Sequence, residues 1–190
     1  MSKFTLHDAI SDEELVKEVT KTKDPEIFGQ LYDRYVSRVY NKCYGFSRTP
    51  AEAEDLTQDV FLMLYLKIGK FKGYSKFSTW LYSFVYNFCV NHVNRNTQRK
   101  MADRTRHLDE RDDEILLNVS DQTLLQLSVE RLKKAMNIIR PEDKAMLLLK
   151  YQDDASIKEL MALMNLSESA VKMRLKRAKS RVVQEYNKIK

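Results

Sequence analysis

From Phe28 to Cys43 the apolar side chains stand at 28, 31, 35, 39 and 43, intervals of three and four that gather on one side of an α-helix and scatter on a strand. The interval returns at Leu56, Val60 and Met63 or Leu64, and again at Phe77, Leu81, Phe84 and Phe88. Three such stripes can close on one another, so a helical bundle over residues 8–97 is expected. Helix starts are marked as well. A small polar residue followed by Glu three positions on, or by Pro, satisfies or dispenses with backbone N–H groups left unpaired where a helix begins. Ser11 with Glu14, Asp24-Pro25, Thr49-Pro50 with Glu52, Pro141, and Ser156 with Glu159 all carry this mark. With four Gly and three Pro in 190 residues, the chain is poor in hairpin turns. The expected fold is all-α.

After the first bundle comes a polar stretch, TQRKMADRTRHLDERDDE, without periodicity. It reads as a flexible charged linker over residues 98–123. Apolar periodicity resumes with Leu125, Leu132, Met136, Ile139, Met146 and Leu149, giving a second domain over 124–190. Either domain can bury a core without disulfide or metal. Cys43 and Cys89 show no ligand spacing and fit buried free thiols in a reducing compartment. The start, MSKFTLHDAISDEE, lacks a secretory pattern, and no apolar run reaches the ~20 residues of a membrane span. A soluble, cytoplasmic protein with no cofactor is expected.

The net charge of +6 is unevenly placed. Residues 156–190 hold nine Lys/Arg against three Asp/Glu, so residues 1–155 balance. A smaller basic group, Arg95, Arg99, Lys100, Arg104 and Arg106, precedes the acidic run DERDDE at 109–114. Two basic regions suggest two places where a polyanion is touched, although a charge run equally fits a solvated helix face.

The carboxyl-terminal stretch SIKELMALMNLSESAVKMRLKRAKSRV has the grammar of a helix-turn-helix. One helix runs from Ser156 to about Met164, and a second is capped by Ser167. The turn between them needs a residue with positive φ, which Asn165 tolerates. In the second helix Val171, Leu175, Ala178 and Val182 fall on one face, directing Lys172, Met173, Lys176, Arg177 and Lys179 outward. An ordinary helical hairpin with a wet basic side is the alternative. The cap, the turn residue and the cations gathered on the second helix favour DNA in the major groove.

Two segments of the first bundle ask for a function. TPAEAEDLTQDVFLMLY places Asp55, Gln58, Asp59 and Leu62 on one acidic, partly apolar outer face. FKGYSKFSTWLYSFVYNFCVNHVNRNTQR interleaves Tyr74, Phe77, Trp80, Tyr82, Tyr86 and Phe88 with Lys72, Lys76, Arg95 and Arg99. Aromatic faces accept unstacked bases while cations hold a strand's backbone, although part of this set must fill the core.

Taken in order, the LYDRYVSRVY helix, AEDLTQDVF, FSTWLYSFVYN, the charged linker and LSESAVKMRLKRAK resemble the extracytoplasmic-function (ECF) sigma factors of the sigma-seventy superfamily across nearly the whole chain. The resemblance implies a transcription initiation factor with two helical domains and no enzymatic activity. Its partners would be the RNA polymerase core, through the beta-prime clamp coiled coil and the beta flap, promoter DNA, and an anti-sigma factor. By resemblance, Asp55, Leu56, Gln58, Asp59 and Phe61 would bind the clamp. Lys72, Tyr74, Lys76, Trp80, Asn87, Asn91 and Arg95 would engage the minus-ten element. Ser169, Lys172, Met173, Lys176 and Arg177 would read the minus-thirty-five element. The family usually has Gly where Asn165 stands and Ala where Met161 stands.

Two other functions are conceivable. A helix-turn-helix regulator that does not dock on polymerase leaves the acidic AEDLTQDVF face unused. A metal-dependent nuclease could use Glu54, Asp55 and Asp59, but no His joins them and the three histidines, His7, His92 and His107, are scattered.

Overall fold

The computed structural model describes residues 10–101 and 117–189, whose regular elements are all helices, with no strand among them. The acidic run 109–114 and the cations Arg104 and Arg106 lie outside the described residues, as do the side chains of Arg99, Lys100 and Leu125. The chain divides into two compact units, 1–86 and 87–190.

In the first unit α1 (Asp12–Thr22), α2 (Pro25–Tyr44) and α3 (Pro50–Lys67) are followed by a 3-10 turn (Ile68–Lys70) and by α4 (Phe77–Met101), which continues past the division at residue 86. The caps form as expected. Ser11 and Glu14 make a reciprocal capping box, Asp24 and Thr49 accept from the N–H groups of Glu26 and Glu52, and Pro25 and Pro50 open their helices. Helix α2 packs on α1 and α3. The core contains Leu31, Tyr35, Val39 and Cys43 from α2, and Leu56, Val60 and Leu64 from α3. Met63, the other candidate, is half-buried.

Helix α4 corrects one expectation. Its buried residues include Phe77, Leu81, Val85 and Cys89, whereas Phe84 and Phe88 are half-exposed. Over residues 77–90 apolar side chains point to most sides of the helix, so spacing alone does not select a face and packing decides. Lys42 is unusual for being only 7% exposed. Its ammonium lies 3.9 Å from the Tyr82 ring centroid and donates to the Tyr86 hydroxyl at 3.0 Å, so aromatic faces stand in for water around the charge.

The second unit holds α5 (Asp121–Leu125), α6 (Val129–Ile138), α7 (Pro141–Tyr151), α8 (Ile157–Met164) and α9 (Glu168–Lys188). Helix α9 packs against α6, α7 and α8. Ala135, Ile139, Leu147, Ala178, Val182 and Val183 form a shared core that also includes Val119. Residues 117–123 belong to the stretch expected as linker; Val119 is buried in this core and α5 is helical. Asp143, in the first turn of α7, accepts from Arg140 at 3.1 Å and from Arg181 of α9 at 2.8 Å. Both cysteines are buried and neither is in a disulfide, and no described helix is long and apolar enough to cross a membrane.

Candidate nucleic-acid interface

Three surfaces carry the candidate residues. On α3, Asp55, Gln58 and Asp59 are exposed and Leu62 is 62% exposed, so the expected acidic, partly apolar face is there. Leu56 and Phe61 belong instead to the core. They hold the face rather than form it: Phe61 meets Phe28 and Tyr32 of α2 edge-on or tilted, at 6.3 and 4.6 Å between centroids. Between α2 and α3 lies a shallow groove of about 340 Å³ lined by Tyr32, Val36, Tyr40, Glu54, Thr57 and Gln58. Among the described residues no three His, Cys, Asp or Glu side chains are grouped to hold a metal ion.

The second surface is the loop from Phe71 to Lys76 with the first turns of α4. Lys72, Tyr74 and Lys76 are exposed, Tyr74 at 79%. Gly73 sits at φ +73°, a conformation disfavoured for residues with a Cβ, and it turns the loop back toward α4. Trp80 is half-buried in a row of rings. Phe71 and Phe77 lie at 5.6 and 5.9 Å from it, and Phe84 stacks on it at 5.8 Å with 24° between planes. Further along α4, Asn87, Asn91 and Arg95 are exposed. Together with Trp80 and Phe84 they recur at three or four along the helix and share one face.

The third surface is α9. Ser156 and Glu159 form a capping box on α8, and Asn165 adopts φ 52°, ψ 52°, with its N–H donating to the Met161 carbonyl. Ser167 accepts from the Ala170 N–H to open α9. Val171, Leu175, Ala178 and Val182 are buried. Ser169, Lys172, Met173 and Lys176 are exposed and Arg177 is half-buried, an outer stripe at intervals of three and four. Two cations are engaged within the second unit. Lys172 hydrogen-bonds Glu168 one turn back, which holds that carboxyl below the usual range. Lys179 reaches Asp121 at 2.9 Å, where the Tyr151 hydroxyl also donates, at 2.7 Å. These bonds hold the Asp121 carboxyl low, while burial and Asp121 push the Tyr151 hydroxyl up. Lys179, expected outward, is thus drawn to α5. Its partner lies 58 residues away, a pairing that carries no local signal.

Comparison with known proteins agrees with this geometry. The family model described as Sigma-70 region 2 matches residues 31–99, and Sigma-70, region 4 matches residues 129–182. The ECF RNA polymerase sigma factor SigW of Bacillus subtilis (strain 168) is 28% identical over 170 residues, covering 86% of this chain and 90% of the relative. The ECF RNA polymerase sigma-E factor of Escherichia coli (strain K12) is 26% identical over 183 residues, covering 93% and 95%. Among solved structures, CnrH in complex with the cytosolic domain of CnrY has the same fold, with a TM-score of 0.59 at 18% identity over 94% of this chain and 99% of that one. RpoE in complex with the anti-sigma factor NepR from Bartonella quintana gives 0.57 at 22% identity, over 85% and 97%. The chain belongs to the sigma-70 family, and within it to the ECF group.

Proposed function

We propose that this chain binds RNA polymerase core, brings it to particular promoters and helps open the DNA, acting through binding rather than covalent chemistry. Residues 8–97 serve as sigma domain two and residues 124–190 as sigma domain four, with 98–123 between them. Asp55, Gln58 and Asp59 meet the beta-prime clamp, with Leu56 and Phe61 shaping their helix from beneath, and the beta flap meets the second domain. Lys72, Tyr74, Lys76, Trp80, Asn87, Asn91 and Arg95 engage the minus-ten strand. Ser169, Lys172, Met173, Lys176 and Arg177 read the minus-thirty-five duplex.

Polymerase fixes the spacing of the two DNA modules, so their modest affinities combine through effective concentration. Stacking of extruded bases on the Trp80 row replaces part of the stacking lost when the duplex opens. The protein works in the cytoplasm, and an anti-sigma factor restrains it, as the complexes of its structural relatives suggest.

One observation carries the reading over a DNA-only regulator: Asp55, Gln58 and Asp59 are all exposed on α3, and anions there are of no use against a phosphate backbone. The test is run-off transcription from genomic fragments with polymerase core and either the wild-type chain or the Asp55→Ala, Asp59→Ala variant. Factor-dependent initiation that the variant loses supports the reading. DNA binding without initiation by the wild type refutes it in favour of the regulator.

A further inference from the structure

The N-terminus of α4 depends on a residue from the far end of the unit. Its first turn begins at Phe77, and the Trp80 N–H bonds back to the Lys76 carbonyl. Lysine at that capping position has no acceptor to offer, and the neighbouring Ser75 hydroxyl donates to the Lys76 carbonyl at 3.2 Å. The Phe77 N–H, one of the donors a helix start leaves unpaired, is satisfied by the Glu13 carboxylate of α1 at 3.0 Å, across 64 residues. The anion also complements the positive end of the helix dipole.

Helix α1 grips the other end of the same segment. It packs along the 3-10 turn at 68–70. A Cβ on Gly69 would come within 3.3 Å of the Thr20 methyl carbon, so the Thr20 side chain of α1 packs closely on the turn there. Helix α1 itself is fixed independently of Glu13. Leu15, Val16 and Val19 are buried, and Asp12 accepts from Arg34 at 2.7 Å and from the Tyr35 hydroxyl. The loop carrying Lys72, Tyr74 and Lys76 is therefore held at both ends by one helix.

We infer that Glu13 is a positioning residue for capture of the minus-ten strand, setting through the Phe77 N–H the junction between the 71–76 loop and Trp80. This rests on the proposed role of that loop and of Trp80. Glu13 touches no DNA; it fixes where the loop ends and the stacking row begins.

The test uses the full chain assembled with polymerase core. Its probe is the single-stranded minus-ten segment of a promoter initiated in the run-off assay, with a scrambled strand as control. Glu13→Gln keeps an oxygen at the same reach, Glu13→Asp keeps the charge but is one carbon shorter, and Glu13→Ala removes both. Glu13→Asp and Glu13→Ala are expected to lose about fivefold in probe affinity, about 1 kcal/mol at tenfold per 1.4 kcal/mol. Glu13→Gln should stay within about twofold of wild type, and core binding should be unchanged in all three. Should Glu13→Ala fold poorly, the Asp and Gln pair still separates reach from charge. Equal probe binding by all variants, or parallel loss of core and probe binding, overturns the inference. A wild-type holoenzyme that does not distinguish probe from scrambled strand overturns the underlying reading of the loop, and the inference with it.

Discussion

Asn165 holds the turn between α8 and α9 at φ 52°, where a Cβ crowds the following carbonyl at a cost of about 1–2 kcal/mol. Asparagine recovers part of that through its tolerance of this region, glycine nearly all of it, and alanine none. Glycine in turn loses more chain entropy on folding, about 0.5–1 kcal/mol relative to alanine. Subtracting that term leaves Asn165→Gly more stable than Asn165→Ala by about 1 kcal/mol, with wild type between them. The bonds from Asn165 and Leu166 to the Met161 carbonyl are backbone bonds that all three variants retain, so the comparison isolates the dihedral. Trp80 is the only tryptophan and belongs to the first unit, so its fluorescence follows that unit alone. Amide hydrogen exchange in α8 and α9 reports on the second, where 1 kcal/mol is about a fivefold change in the opening equilibrium. Equal protection in the Ala and Gly variants, or lower protection in Gly, refutes the account of the turn.

Burial lowers the Lys144 ammonium to about 8 from 10.5, while the ammonium donates a hydrogen bond to Asn137 Oδ1 at 2.6 Å. Between these values the unfolded chain binds the proton that the folded one has lost, so stability rises with pH from about 8. Burial raises the Tyr35 and Tyr151 hydroxyls, which lowers stability only above pH 10. Chemical denaturation over pH 8–9.5 should therefore show wild-type stability rising by about 1 kcal/mol per pH unit relative to Lys144→Met; a constant difference contradicts the burial argument. Asp143→Ala removes the acceptor that joins α7 to α9 and should cost about 2–4 kcal/mol, read as lost amide protection in both helices. On α9, Lys176→Ala should weaken binding to all duplexes alike and reduce the salt slope by about 0.9, while Arg177→Ala should relax sequence preference at the minus-thirty-five element by about 1–3 kcal/mol. Duplex binding titrated against salt distinguishes the two.

Much of this molecule is written in short stretches of sequence. The capping boxes at Ser11 and Ser156, the openings at Pro25, Pro50 and Pro141, the left-handed Asn165 and the buried face of α9 all appear where residue spacing puts them. A helix end must satisfy its donors within three or four residues, and an amphipathic helix must turn its apolar side inward; both requirements are local. The outer stripe Ser169, Lys172, Met173, Lys176 and the exposed Asp55, Gln58, Asp59 follow from the same periodicity. Tertiary structure decided the rest. The first half of α4 is apolar on most sides, so only packing could choose Val85 and Cys89 for the core and leave Phe84 half-exposed beside Trp80. The resemblance named Leu56 and Phe61 for the clamp; the apolar spacing already put Leu56 in the core, and packing put Phe61 there as well. Lys42 among Tyr82 and Tyr86, Lys179 on Asp121, and Glu13 on the Phe77 N–H pair residues dozens of positions apart. Such partners meet only after hydrophobic burial has brought their helices together, and no spacing in the chain records the meeting.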